Sequence, residues 1–388
     1  MRWKIQAGQR DGRYWPGNEV EDSGRATIWL SGMRGIDDKM KKKIACMTAI
    51  LMAAVTMLGG CGQTLSDAGS ASSTPRKIII DTDTGADDAA AIILAAMNKN
   101  VEILGVTVLA GNVDIDQATE NALMALEITG NSAPVYKGAT SNYKGEEIDA
   151  FSVFGTDGMG DMDLIHPSTG CEEGDAVDFI LDTLNKYPGE VEIIAIGPAT
   201  NIARAIEKDP ETMKKAKTIW SMGTTGLGPG NSSPVSEFNV YHDPEAYKLM
   251  LDSGLDITVV GLDVCGDSAM WTPEDFKKLK ATNDIGKFVD GSFDKLREFY
   301  ISNGTDGSVM NCDTVAMMCA LYPDFVTKTI TCHGSCITDE GETRAQVIFY
   351  QQGFTYDVVD SSGLDYNVTL VNDVRKDEYF SRFVEAIK

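Results

Sequence analysis

Between Lys77 and Leu262, short apolar runs alternate with amphipathic stretches. Lys77–Ile80 precedes a helical pattern over Ala89–Asn98, and Ile103–Leu109 precedes another over Gln117–Thr129. The rhythm resumes with Val191–Ile196 and Thr200–Glu207, then Thr218–Met222, Pro244–Asp252 and Ile257–Leu262. Continuous apolar strands separated by helical periodicity predict βαβ units and a mostly parallel sheet covered on both faces. Thr272–Ser302 reads as helical, and Gln346–Leu370 as mixed or antiparallel β. No internal repeat or linker divides residues 77–388, so the pattern predicts one α/β domain with a Rossmann-like, mostly parallel sheet and helices on both faces. Such sheets bind ligands beyond the carboxyl ends of their strands. The polar residues that follow each strand are therefore the candidates for chemistry.

The pattern upstream is different. Met40-Lys41-Lys42-Lys43 leads into an apolar run from Ile44 to Leu58, then Gly59-Gly60-Cys61 and a stretch rich in small and hydroxyl residues. A basic start, a short apolar centre and small residues before a cysteine predict a secretory signal over residues 40–60. The run is short for a membrane span, which takes about 20 residues. Leu58-Gly59-Gly60-Cys61 resembles a bacterial lipobox, which makes Cys61 the lipidated residue and residues 61–76 a flexible tether. Residues 1–39 carry Trp3, Trp15 and Trp29 without periodicity and read as an extension assigned upstream of the true start. The expected product is exported, at the cell surface or in the periplasm, and attached to the membrane only by its lipid.

Composition narrows the partners. The 388 residues include 34 Lys and Arg against 58 Asp and Glu, a net charge of -24. Phosphate backbones are bound through Lys and Arg, so this balance excludes nucleic acid as a partner and favours small ligands or cations. Six of the eight cysteines lie beyond Cys61, too few for a disulfide scaffold of this length. Cys332-His333-x-x-Cys336 lacks the second pair that a zinc site of that spacing needs.

The densest chemistry follows the first strand. Asp81-Thr82-Asp83-Thr84-Gly85-Ala86-Asp87-Asp88 places four carboxylates within eight residues of a strand-to-helix turn. Ionised carboxylates crowded into a partly buried site repel one another, and a divalent cation resolves the conflict. Oxygen ligands suit calcium or magnesium, and calcium tolerates the more irregular set. Helix capping accounts for one or two of these residues but hardly for four. An EF-hand loop fails because the twelfth position from Asp81 is Ile92. A haloacid-dehalogenase-like phosphatase, with Asp263 and Asp267 as its later acids, expects Thr or Val where this chain has Gly85.

These residues resemble the inosine-uridine-preferring nucleoside hydrolase family, whose hallmark is an N-terminal D-x-D-x-G-x-D-D turn. The likeness continues in order through Gly111-Asn112, Gly197-Pro198-Ala199-Thr200-Asn201, Asn231, Glu237-Phe238-Asn239-Val240, Asp243-Pro244-Glu245-Ala246, Val260-Gly261-Leu262-Asp263 and Cys312-Asp313. The resemblance implies calcium held by Asp83, Asp88, Asp313 and the carbonyl of Ile196, with Asp83 also the general base. It implies that Asp87, Asn112, Asn231, Glu237 and Asn239 hold the ribose hydroxyls, and that Asp81 supports the metal. The activity implied is hydrolysis of the N-glycosidic bond of ribonucleosides to free base and ribose, in nucleoside salvage, by a homodimer or homotetramer.

Two positions depart from the family pattern. Many relatives place a histidine directly before the third metal carboxylate, where it protonates the leaving base; here that residue is Cys312, a candidate catalytic residue that matches such proton delivery only if its pKa is tuned. Phe154 stands where relatives often have a histidine, and offers a nucleobase a stacking surface. Neither departure fixes the preferred base. The missing imidazole also motivates an alternative, a lipoprotein that binds nucleosides without cleaving them.

Overall fold

The computed structural model describes residues 74–146, 149–163 and 165–388. The signal over residues 40–60, the lipobox at Cys61 and nearly all of the tether lie outside the described residues. No helix among the described residues is long and apolar enough to cross a membrane.

The described residues build one nine-stranded sheet. Strand β1 (Arg76–Thr82) leads through helix α1 (Ala86–Ala96) to β2 (Val101–Val108), then through α2 (Ile115–Glu127) to β3 (Val135–Lys137). A short α3 (Phe151–Phe154) and α4 (Ala176–Lys186) return to β4 (Val191–Ala195). Helices α5 (Thr200–Lys208) and α6 (Pro210–Met213) lead to β5 (Thr218–Met222), and α7 (Phe238–His242) with α8 (Pro244–Asp252) to β6 (Ile257–Val260). Four helices follow: α9 (Pro273–Lys280), α10 (Asp284–Ser292), α11 (Asp294–Ser302) and α12 (Cys312–Leu321). Strands β7 (Val326–Cys336), β8 (Val347–Gln351) and β9 (Val368–Val374) precede the last helix, α13 (Lys376–Ala386).

The strand order is β3-β2-β1-β4-β5-β6-β9-β7-β8. All pairs from β3 through β6 to β9 are parallel, and β7 runs antiparallel to both β9 and β8. The mostly parallel sheet with helices on both faces is as the apolar pattern predicts. Because side chains alternate across a strand, Ile78 and Ile80 of β1 enter the core under α1, α2 and α12, whereas Ile79 enters the core under α4, α5 and α8. Strand β1 lies between β2 and β4, so the connections leave it toward both edges. That reversal opens a crevice at its carboxyl end.

Three details differ from the sequence pattern. Helix α1 begins at Ala86 rather than Ala89, which puts Asp87 and Asp88 in its first turn, where the helix dipole favours them. The apolar run ending at Leu262 stops being a strand at Val260 and turns into a single 3-10 turn over Leu262–Val264. Strand β7 carries no apolar run, because its exposed Thr327, Lys328 and Thr329 hide the alternation. Cys332 and Cys336 share one buried face of β7, while the His333 ring on the other face meets the carbonyl of Asp365. They form no metal cluster.

Trp271 fixes the helical layer. It is fully buried, with the rings of Phe276, Phe293, Tyr379, Phe380 and Phe383 centred 4.8–5.8 Å away. These rings tie α9, the start of α11 and α13 together. Trp271→Ala leaves a large cavity there and is expected to lower unfolding free energy by about 3–5 kcal/mol, read by guanidinium titration.

Candidate active site

The site is built at the carboxyl ends of β1, β2 and β4. Asp81 is the penultimate residue of β1, and its Oδ1 accepts hydrogen bonds from the Thr107 hydroxyl (2.5 Å) and the Asn201 amide (2.9 Å). Burial pushes its carboxyl up to about 7, against those two bonds. Asp83 follows the strand and is fully buried; its Oδ2 accepts the Asn112 backbone N–H at 2.7 Å. It is cradled by two glycines. A Cβ on Gly111 would lie 2.1 Å from Asp83 Oδ2, and one on Gly197 would lie 2.8 Å from Oδ1. Only hydrogen at both positions lets the backbone close on this carboxylate.

Asp88 locks the turn. Its Oδ1 accepts the Thr82 hydroxyl at 2.6 Å, and its Oδ2 accepts the Gly85 backbone N–H (2.9 Å) and the Asn112 side-chain amide (3.1 Å). Asp313, in the first turn of α12, completes the group from a distant part of the chain. Carboxylate oxygens of Asp87, Asp88 and Asp313 lie within 4.8 Å of one another. Asp83 is outside this trio, but the charge of Asp88 still acts on it. Burial, and then mutual repulsion, raises Asp83, Asp87 and Asp313 above the ordinary carboxylate range. Burial raises Asp88 too, against its own hydrogen bonds.

A cleft of about 860 Å³, including its open mouth, rises from this floor. That is within the usual range for small-molecule sites. Of the residues singled out from the sequence, Asp87, Asn112, Phe154, Asn231, Glu237, Asn239, Cys312 and Asp313 line it. Asp83, Asp88 and Asp81 lie beneath, and the Ile196 carbonyl accepts the Asn239 side-chain amide at 2.9 Å. Glu237 also caps α7: its Oε1 accepts the Asn239 N–H at 2.9 Å and its Oε2 the Val240 N–H at 3.2 Å. Burial pushes its carboxyl up to about 7. Cys312 opens α12, and its thiol is pushed up by the neighbouring Cys265 thiol and then by burial.

One wall carries no sequence motif. Val153, Leu296, Phe299, Tyr300 and Met310 join Phe154 to make it apolar. Its only signal in the sequence was surplus aromatic residues on α11. Among the described residues no Lys, Arg or His lines the cleft. The later acids that a phosphatase needs are elsewhere: Asp263 accepts the Leu227 N–H, and the exposed Asp267 pairs with Lys376.

Oxygens of Asp81, Asp83 and Asp87 are buried without a hydrogen-bond partner. Among the described residues no Lys or Arg forms an ion pair with any acid of this floor. Such oxygens are costly unless a positive charge meets them, and an all-oxygen donor set fits a hard divalent cation. Asp83, Asp87, Asp88 and Asp313 would hold it.

A carboxylate floor, side-chain amides and an apolar wall lie together at the switch point of a parallel sheet, where α/β proteins bind small ligands. The sequence profile described as inosine-uridine preferring nucleoside hydrolase matches residues 78–381, and the chain belongs to that family. It is 35% identical over 281 residues to uridine nucleosidase 1 of Arabidopsis thaliana, covering 69% of this chain and 83% of that one. It is also 35% identical over 322 residues to an uncharacterized protein of Schizosaccharomyces pombe, covering 80% and 98%. Its structure is similar to that of a plant nucleoside hydrolase, with TM-score 0.75 and 30% identity over 81% of this chain and 99% of that one. A purine-preferring ribonucleoside hydrolase from Gardnerella vaginalis gives TM-score 0.73 and 29% identity over 80% and 98%.

The cradle generates a prediction that needs no substrate. Gly111→Ala drives a methyl into Asp83, so millimolar calcium, which should raise the melting temperature of the unaltered protein reversibly to chelation, should raise that of the variant far less.

Proposed function

We propose that the protein hydrolyses the N-glycosidic bond of ribonucleosides, releasing base and ribose, with calcium as its cation and nucleoside salvage as its role. The observation that carries this reading is one cleft in which Asp87, Asn112, Asn231, Glu237 and Asn239 surround a floor containing the partnerless, buried Oδ1 of Asp83. Export and anchoring through Cys61 belong to the same proposal, since salvage outside the cytosol yields free base for uptake.

A divalent cation, when bound, supplies positive charge that keeps these carboxylates ionised and Lewis acidity that makes a water a better nucleophile. Asp83 Oδ1, with no donor of its own, takes the proton from the attacking water. Asn231, Asn239, Asp87 and Glu237 orient the ribose hydroxyls, and a sugar lacking one of them leaves these buried groups unpaired. As the bond to the base breaks, positive charge grows on the ribose, and the surrounding carboxylates and amide oxygens stabilise it. The apolar wall receives the base, Phe154 by stacking. Cys312, held as the neutral thiol, donates a hydrogen bond to the departing base.

The missing imidazole supports a second reading, capture of nucleosides without cleavage. A chromatographic panel of purine and pyrimidine ribonucleosides, run with calcium and after chelation, separates the two. Calcium-dependent release of base supports hydrolysis; stoichiometric binding without turnover supports capture. Asp83→Ala and Asp313→Ala are each expected to cut turnover by at least about a hundredfold, the first by losing base and ligand together. Cys312→Ala is expected to lower kcat by no more than about tenfold, the scale of one hydrogen bond, with Cys312→Ser recovering most of it.

A further inference from the structure

Residues 223–236 join β5 to Glu237 and carry Asn231 and Ser232 over the cleft. Glycines at 223, 226, 228 and 230 make the segment easy to deform. It is nevertheless pinned at its root. Thr224 adopts a left-handed φ of 73°, uncommon for a β-branched residue. Its N–H donates to Glu237 Oε2 at 3.2 Å, its carbonyl accepts the Leu262 N–H at 3.1 Å, and its hydroxyl accepts the Gly226 N–H at 3.0 Å. Across from it, in the turn after β6, the Asp263 carboxylate accepts the Leu227 N–H at 2.8 Å. Its other oxygen is buried without a donor, packed against Gly226, where a Cβ would lie 1.9 Å away. Gly226 has a φ of 61°, so the tight turn and the close carboxylate require glycine twice over.

Beyond Pro229 a second knot holds the tip. The carbonyl of Pro234 accepts the Gly230 N–H, and the carbonyl of Ser236 accepts the Asn231 and Ser232 N–H groups. The two knots meet through residues 228–230, so the position of the first sets where the second presents Asn231. Asp263 touches neither the cleft nor the carboxylate floor, and nothing in the hydrolytic chemistry uses it. We propose that Asp263 is a positioning residue, clamping Gly226 and Leu227 so that Asn231 and Ser232 meet the ribose. This rests on the proposed hydrolysis for its kinetic consequence, but not for its structural one.

Variants of the full-length protein test the clamp, using a ribonucleoside that it turns over and amide hydrogen exchange across residues 224–232. Asp263→Ala should raise KM by about tenfold, the loss of one buried hydrogen bond, with kcat little changed. The calcium-induced rise in melting temperature should persist, and exchange at Leu227 should quicken. Asp263→Asn keeps an oxygen for the Leu227 N–H and should return KM toward that of the unaltered protein, whereas Gly226→Ala should reproduce the rise. Unchanged KM in Asp263→Ala, unchanged exchange at Leu227, or failure of Asp263→Asn to rescue overturns the proposal. If Asp263→Ala does not fold, Gly226→Ala decides, and an unchanged KM there overturns it. If the unaltered protein cleaves no ribonucleoside, the hydrolytic reading falls alone, and exchange at Leu227 still decides the clamp.

Discussion

The structure depends on the convergence of buried carboxylates at one point where, among the described residues, no basic side chain pairs with them. Asp83, Asp87, Asp88 and Asp313 come from the end of β1, the first turn of α1 and the first turn of α12. Bringing that much like charge out of water is unfavourable by itself, so the rest of the fold has to overcome it. Helix α12 is buried along its length from Asp313 to Leu321 and packs on α1, and apolar contact of that extent can hold the acids together. Backbone N–H groups of Gly85 and Asn112, hydroxyls of Thr82 and Thr107 and the amide of Asn201 satisfy part of the oxygen set. What they leave unsatisfied is the capacity that a cation can use.

The same restraint holds the side chains proposed to meet the sugar. Glu237 accepts three backbone N–H groups, two from the start of α7 and one from Thr224, while its carboxylate lines the cleft. A side chain held by the backbone on several sides has little freedom left to lose when a ligand arrives. Asn239 is tethered in the same way by the carbonyls of Ile196 and Met222. Groups immobilised before binding lower the entropic cost of orienting a polyol, and they keep their geometry as charge develops on it.

Much of this was legible in the sequence because it is local. The strand–turn–helix around Asp81–Asp88 declares itself through one apolar run and a cluster of like charges. The parallel sheet follows from repeated short runs such as Val191–Ile196. Residues that act through contacts distant in sequence were harder to read. Asp313 stood out only by family likeness, since alone it is an ordinary first-turn acid of a helix. Strand β7 was hidden because Thr327, Lys328 and Thr329 face solvent at the sheet's margin. The wall formed by Leu296, Phe299, Tyr300 and Met310 could not be read, because helical periodicity shows that a face is apolar but not whether it meets a core or a ligand. Glu237 was marked as a ribose-holding residue only by family likeness, and its capping of α7 depends on a chain reversal that only the fold reveals.

The absence of a basic side chain from the cleft among the described residues bears on how the proposed cleavage would proceed. Among the described residues no Lys, Arg or His lines the cleft, and its lining includes the Cys312 thiol and the Tyr300 phenol as hydrogen-bond donors. Both are held more firmly than usual, Cys312 because of the Cys265 thiol and burial, Tyr300 because of burial. Neither is tuned to give up a proton near neutrality, so each acts better as a hydrogen-bond donor than as a general acid. In the proposed hydrolysis, stabilisation would be concentrated on the sugar, where carboxylates and amides would face the growing positive charge, with an apolar surface offered to the base. On that proposal the site would discriminate among substrates by how well the base tolerates leaving with its electron pair, since ribose contacts would contribute equally whichever base is attached.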